Sequence, residues 1–136
     1  MKMEQSEWRA TAASVRGALH IRDGLPNQDD VNWYPGTGSG LPIILALSDG
    51  HGSPRSFRSQ RGAGFAVTAA VRTVRDFIQI QEDNLTVIKR IAEDQLPKEI
   101  VRRWQTRVAW DIKDDPFSMG EQEILMGRDA RLAYGA

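Results

Sequence analysis

Residues 42–52 read PIILALSDGHG. In this stretch a short apolar run is followed by a turn that contains an aspartate, a glycine, a histidine and a second glycine. The run over residues 43–47 has no polar alternation, which predicts a strand buried on both faces. Asp49 and His51 follow directly, and a carboxylate and an imidazole held at a strand end suit metal and phosphate chemistry. An Asp-Gly pair is also typical of an ordinary turn, so a purely structural role stays open for this stretch taken alone.

A second acidic turn lies upstream of this strand. Residues 26–30 read PNQDD and follow a segment dense in turn-forming residues, so Asp29 and Asp30 lie just beyond a turn. Between the two acidic segments, residues 31–34 predict a strand and the glycine-rich residues 35–40 predict the connection of a hairpin. A phosphate-binding loop is the alternative for this connection, but it precedes a strand and lacks the Lys-Ser/Thr ending of a P-loop.

The remaining sequence predicts two early strands, several helices and a final strand. Residues 8–16 and 19–22 are the early strand candidates. From Ser59 onward, apolar residues recur at intervals of three and four, which predicts a long amphipathic helix capped at or near Ser59. Further helices are predicted over residues 85–95, 97–113 and 120–127, and a last strand over residues 132–136.

The bulk composition limits the class of protein. The chain has 136 residues, 18 Lys plus Arg against 18 Asp plus Glu, and no cysteine. Its size suits one domain, and its balanced charge gives no global field that would attract nucleic acid or an anionic membrane. The lack of cysteine excludes disulfides and thiolate chemistry, and the longest apolar run is far too short for a membrane helix. Since no apolar leader is present at the start, we expect a cytoplasmic protein.

The acidic residues near the two turns are candidate metal ligands. Mg²⁺ and Mn²⁺ prefer oxygen donors, and Asp29, Asp30 and Asp49 supply carboxylates of that type. Gly50 can present its backbone carbonyl to a metal ion, and His51 can donate a proton to a leaving oxygen. A zinc site is not expected, because the chain offers only two histidines and no cysteine.

The order of these segments carries more information than any one of them. Residues 17–77 contain an acidic turn, a glycine-rich hairpin, a strand ending in Asp-Gly-His-Gly and the start of a long helix. This arrangement resembles the N-terminal half of the metal-dependent serine/threonine protein phosphatases of the type 2C class. The similarity is greatest to bacterial-type members, whose first motif reads Gly-x-Pro-x-Gln-Asp, as residues 24–29 do here.

The resemblance implies a fold and a function. The expected fold class is α+β, a partial α/β/β/α sandwich of antiparallel sheets flanked by antiparallel helices. Residues 1–136 would form the N-terminal portion of a single domain, truncated after its first half. The implied reaction is hydrolysis of phosphoserine and phosphothreonine esters in a phosphorylated protein substrate by a metal-activated water, with two Mn²⁺ or Mg²⁺ ions as cofactors.

The resemblance also implies roles for individual residues. Asp29 and Asp49 correspond to metal-ligating aspartates, and Gly50 corresponds to the glycine whose carbonyl is a ligand. His51 corresponds to the general acid, so Asp49 and His51 are the candidate catalytic residues. Asp30 is secondary, because the family usually has a small residue at that position.

Recognition of the substrate phosphate is a point at which this chain departs from the family. Many members carry an arginine where this chain has Gly24. Arg22, which is out of register, and Arg55, which precedes the long helix, are therefore the candidates for contacting the substrate phosphate.

Two other functions remain open from the sequence. The chain ends before the later family aspartates, so a non-catalytic binding or regulatory fragment is the alternative, and unpaired strand edges predict self-association. The helix predicted over residues 97–113 has a basic side that would suit nucleic acid, formed by Lys98, Arg102, Arg103 and Arg107. Acidic residues alternate with these, which indicates an ordinary solvated face, so we expect neither nucleic acid nor membrane as a partner.

Overall fold

Within residues 7–80 and 85–136, which the computed structural model describes, the chain forms a short β-hairpin, two long helices and three short helical segments. The helices and the antiparallel sheet confirm the expected α+β class. None of the helices in these ranges is long and apolar enough to cross a membrane. In chain order the elements are α1 (Ala18–Arg22), β1 (Asp30–Tyr34), β2 (Ile44–Ser48), α2 (Ser59–Ile80), α3 (Leu85–Asp114), α4 (Met119–Leu125) and a terminal 3₁₀ helix (Ala130–Tyr134).

Strands β1 and β2 pair as an antiparallel hairpin, which confirms the two strands predicted on either side of the glycine-rich connection. The register pairs Asp30 with Ser48 and Tyr34 with Ile44. In the connection, Gly38 has a φ of +72°, a conformation that glycine adopts at little cost. The hairpin therefore brings the start of β1 beside the end of β2, which are the two points at which the acidic segments join the strands.

Helix α2 covers one face of the hairpin and leaves the other open. Ile44 is 6% exposed, whereas Leu45 is 50% and Leu47 is 76% exposed. Successive side chains of a strand point to opposite faces, so β2 is buried on one face only. The prediction of burial on both faces is wrong, because α2 is the only helix of the described residues that packs on the strands.

The apolar stripe predicted from Ser59 onward is confirmed. Ala63, Val67 and Val71 recur at a spacing of four and are all buried in α2. Helix α3 packs on α2 and makes no comparable contact with the hairpin. The main cluster of buried apolar residues joins α3, α4 and the terminal 3₁₀ helix through Val108, Leu125, Ala133 and Tyr134.

Helix α3 continues through Pro97, so the two helices predicted over residues 85–95 and 97–113 are one. Proline removes one backbone donor and normally interrupts a helix. Here an ion pair of 2.7 Å between Lys98 Nζ and Asp94 Oδ1 spans the proline at a spacing of four residues. Packing of the later turns on α2 adds to this local support, because tertiary contacts stabilise a helix more than its intrinsic propensity does.

Three of the predicted strands are not strands. Residues 8–16 form only an isolated bridge, between Arg9 and Ser39. Residues 19–22 belong to α1, in which local bonds such as Ile21 N–H to Gly17 O replace pairing between strands. Residues 132–136 overlap the terminal 3₁₀ helix, whose start is capped by the side chain of Asp129.

The helix predicted over residues 120–127 is confirmed as α4. Ser118 and Glu121 form a reciprocal capping box at its start, and Met126 ends it in the left-handed conformation with a φ of +52°. Each cap satisfies backbone groups that the helix itself leaves unpaired.

A buried arginine joins the start of α2 to the end of the described chain. Arg58 is 7% exposed and its Nη1 donates hydrogen bonds to Tyr134 Oη at 2.9 Å and to the Asp115 carbonyl at 2.7 Å. The Tyr134 hydroxyl in turn donates to Asp111 Oδ2 at 2.7 Å. Glu121 also forms an ion pair of 3.4 Å with Arg58 Nε. Because a buried guanidinium is costly without such partners, this network ties four segments together.

The network also shifts the pKa values of its members. Burial alone would raise the pKa of Asp111, but hydrogen bonds from Tyr134 and Arg61 outweigh it and hold that pKa below its ordinary value. Burial raises the pKa of Tyr134. At neutral pH, Asp111 is therefore an anion. Tyr134 is a neutral hydroxyl that accepts a hydrogen bond from Arg58 and donates one to Asp111.

Replacing Tyr134 by phenylalanine removes this hydroxyl and leaves Arg58 and Asp111 each short of one partner. We expect Tyr134→Phe to lower the free energy of unfolding by about 1–3 kcal/mol in urea titrations followed by circular dichroism. The matched control is Tyr34→Phe, because the Tyr34 hydroxyl makes no hydrogen bond within the described residues; its effect should stay below about 0.5 kcal/mol. Equal effects of the two variants would contradict this assignment.

Candidate functional site

The two acidic segments meet at one end of the hairpin. Asp30 pairs with Ser48 across the strands, so Asp29 and Asp49 lie immediately beyond this last pair. The backbone N–H of Gly50 donates a hydrogen bond of 3.0 Å to Asp29 Oδ1. Residues that are 21 positions apart in the sequence are thereby fixed to each other.

A very close backbone approach accompanies this hydrogen bond. A Cβ atom added to Gly50 would lie 2.1 Å from the carbonyl oxygen of Gln28. No side chain fits at that distance, so only glycine lets the second turn approach the first this closely. Gln28 itself is buried, and its Oε1 has no hydrogen-bond partner among the described residues.

The first acidic turn is held by side chains that the sequence analysis did not single out. Ser14 Oγ donates to the Asp29 carbonyl at 2.8 Å and accepts from Asn27 Nδ2 at 2.7 Å. Asn27 Oδ1 accepts from the Asp29 N–H at 3.3 Å. Asparagine in a turn commonly binds the backbone two residues on, but nothing in the sequence marks Ser14 as its distant partner.

The turn that carries His51 is fixed through its backbone. The His51 N–H lies 2.7 Å from Ser59 Oγ and 3.1 Å from the carbonyl oxygen of Gly135, and both can accept from it. Ser59 Oγ donates to the same Gly135 carbonyl at 2.6 Å. Ser59 is 1% exposed while His51 is exposed, so a buried serine holds the backbone and leaves the imidazole at the surface.

Asp29, Asp30 and Asp49 line one open cleft of about 390 Å³. Asp29 and Asp49 are exposed, and Asp30 is half-buried. Asp30 Oδ1 accepts from the N–H of Val31, and its other oxygen lies 3.2 Å from where a Cβ of Gly64 would be. The carboxylate of Asp30 therefore lies against α2, while the other two carboxylates are freer to bind a ligand.

The oxygen donors in this cleft are of the type that a hard divalent cation prefers. Within residues 7–80 and 85–136, no group of three or more His, Cys, Asp or Glu side chains is close enough to hold a metal ion. However, Mg²⁺ usually keeps several waters and takes only one or two protein carboxylates, so the two exposed aspartates fit such an ion. Asp29 accepts one N–H at Oδ1, and a carboxylate has further lone pairs to offer.

Neither Arg22 nor Arg55 is among the residues that line this cleft. Arg22 Nε is paired with Asp23 Oδ1 at 2.9 Å. Arg55 is exposed in the loop before α2, where its N–H donates to Ser53 Oγ at 3.3 Å. Contact of either guanidinium with a substrate phosphate stays a prediction.

The family model for protein phosphatase 2C matches residues 16–130, a span that contains both acidic segments and most of the chain. No curated protein and no solved structure matches the chain.

The close approach at Gly50 can be tested by adding one methyl group. We expect Gly50→Ala to lower the free energy of unfolding by about 1–3 kcal/mol, because the new Cβ would lie 2.1 Å from the backbone carbonyl oxygen of Gln28, so that the backbone has to shift. Gly52→Ala is the matched control, since its Cβ would find its nearest atom, Gln28 Oε1, at 3.9 Å. If both variants melt at the same temperature as the wild type, the close contact at Gly50 is refuted.

Proposed function

The chain belongs to the protein phosphatase 2C family, and from this premise we propose that it hydrolyses phosphoserine and phosphothreonine esters in proteins with the help of Mn²⁺ or Mg²⁺. Phosphatase-type function is the property of the family. The observation that supports the finer proposal is the hydrogen bond between the Gly50 N–H and the Asp29 carboxylate, because it joins the two acidic turns in one cleft.

Asp29, Asp49 and the carbonyl of Gly50 are the groups that would hold the divalent ions. When bound, such ions lower the pKa of a coordinated water and orient a phosphate for in-line attack. The protein contributes the placement of the carboxylates: the Gly50 N–H fixes Asp29, and hairpin pairing fixes Asp49 just beyond the last strand pair. Fixed donors lose little entropy on binding, which favours a well-ordered site.

His51 is the proposed general acid. Its backbone is held by Ser59 and Gly135 while its side chain is exposed, so the imidazole can reach a substrate at the protein surface. Imidazole changes its protonation state nearest to neutral pH among the common side chains, which suits transfer of a proton to the leaving serine or threonine oxygen. The reaction consumes one water and yields inorganic phosphate and the free hydroxyl.

One observation favours a second function for this chain, that of a non-catalytic binding or regulatory module. The described residues bring only two exposed carboxylates to the cleft and no third strong ligand from another element. Such a site would bind a single cation weakly.

A phosphatase assay separates the two functions. We expect Mn²⁺-dependent release of phosphate from a phosphothreonine peptide, and EDTA should abolish it. Asp49→Asn should reduce the activity more than about 100-fold, because loss of a metal ligand lowers activity more than loss of the groups that hold the ligand in place. Asp114→Asn is the control, since Asp114 is exposed and forms no ion pair within the described residues. Undiminished activity of Asp49→Asn would contradict the catalytic proposal, and Mn²⁺ binding with no turnover would favour the module.

A further inference from the structure

A second cavity lies between α2 and α3 and shares no lining residue with the acidic cleft. Its volume is about 890 Å³, within the range of about 300–1,000 Å³ that is typical of small-molecule sites. Four arginines line it: Arg72 comes from α2, and Arg102, Arg103 and Arg107 come from α3. The basic side of α3 thus faces a groove that a second helix completes.

The groove has an excess of positive charge. Glu99 forms ion pairs of 2.7 Å with both Arg102 and Arg103, and Arg103 also pairs with Asp76 at 2.7 Å. Arg72 and Arg107 form no ion pair within the described residues. Four guanidinium groups therefore face Glu99, Asp76 and, without direct pairing, Asp111, so a positive excess stays at the groove although the whole chain has a net charge of zero. Such local accumulation attracts anions over the distance of a Debye length.

Two of the arginines are held in place before any ligand binds. The guanidinium of Arg107 lies over the ring of Phe65, 4.7 Å from its centroid. Arg103 is held by its two carboxylate partners. A stacked guanidinium keeps its in-plane N–H groups free, and these match the oxygens of a phosphate in a bidentate arrangement. Preorganisation of this kind reduces the entropy that binding costs.

The lining also offers an aromatic surface. Trp110 is 59% exposed at the groove, and Phe65 forms part of the wall beneath Arg107. An exposed indole is costly in water and stacks well on flat heteroaromatic rings. Thr68 and Thr106 add hydroxyl groups that can bind phosphate or ribose oxygens.

From this combination we propose that the groove between α2 and α3 binds a small organic polyphosphate with an aromatic base, of which a nucleoside diphosphate is the simplest example. The excess of guanidinium groups suits the negative charge of a diphosphate, and the volume exceeds what inorganic phosphate alone would fill. The site is independent of the acidic cleft, so it would act as a ligand-sensing site and not as the site of hydrolysis.

Nucleic acid is the competing occupant, since the same arginines would contact its backbone. Duplex or single-stranded nucleic acid is usually bound by an extended basic strip. Here the acids Glu99 and Asp76 sit among the arginines, which confines the positive excess to the groove. A compact ligand is therefore favoured over a long polyanion.

Isothermal titration with ADP in EDTA tests the proposal, because chelation excludes any contribution from a metal at the acidic cleft. We expect saturable one-to-one binding that weakens with added salt. Arg107→Gln should weaken it about tenfold, as loss of one charged hydrogen-bonding partner does, and Arg107→Lys should weaken it less. Arg128→Gln removes the same charge from an exposed position that lines no part of the groove, and it should leave ADP affinity unchanged.

The aromatic component has its own control. Trp110→Ala should weaken ADP binding several-fold while leaving pyrophosphate binding unchanged, because pyrophosphate has no ring to stack. Circular dichroism melts identical to wild type would show that these variants fold. The proposal is overturned if wild type does not bind ADP, if Arg128→Gln loses as much affinity as Arg107→Gln, or if a single-stranded dodecanucleotide binds more tightly than ADP.

Discussion

The contact between the Gly50 backbone and the first acidic turn is the constraint on which the candidate site depends. The Gly50 N–H binds the Asp29 carboxylate at 3.0 Å, and the missing side chain lets its backbone pass against the carbonyl of Gln28. Hairpin pairing alone would bring the two segments to the same end of the sheet. The glycine contact goes further, because it fixes the distance between a carboxylate that can bind a cation and the turn that carries Asp49.

The last described residues stabilise the turn that carries His51. The Gly135 carbonyl receives hydrogen bonds from His51 and Ser59, and Tyr134 next to it is fully buried against Arg58. Arg58 directly precedes α2. Arg58, Ser59, Tyr134 and Gly135 therefore connect the turn that carries His51 to α2 and to the core. Polar groups buried in this way are stable only when all partners are present, which makes the arrangement sensitive to the loss of any one of them.

Sequence patterns within a few residues correctly predicted the strand, helix and turn that depend on neighbouring residues alone. The apolar run before Asp49, the periodicity after Ser59 and the turn formers around Asp29 each specify a strand, a helix or a turn within a few residues. The strand predicted over residues 132–136 failed because a 3₁₀ turn there lets Tyr134 reach the core. The contact of Ser59 with Gly135 spans 76 residues, and the approach of Arg72 to the arginines of α3 depends on helix packing; neither leaves a signal in a single sequence.

We expect a cation site at the acidic cleft and none at the acids of α3, and paramagnetic broadening by Mn²⁺ tests this most directly. In amide NMR spectra of the isotope-labelled protein, substoichiometric Mn²⁺ should broaden the signals of Asp29, Asp49 and Gly50 first, since a bound paramagnetic ion acts on nearby protons. The signals of Glu93 and Asp94, two exposed acids on α3 that are ion-paired with Lys89 and Lys98, should persist until much higher concentrations. Broadening that begins at α3, or that affects both regions together, would contradict the claim that the Gly50 contact creates a metal-binding cleft.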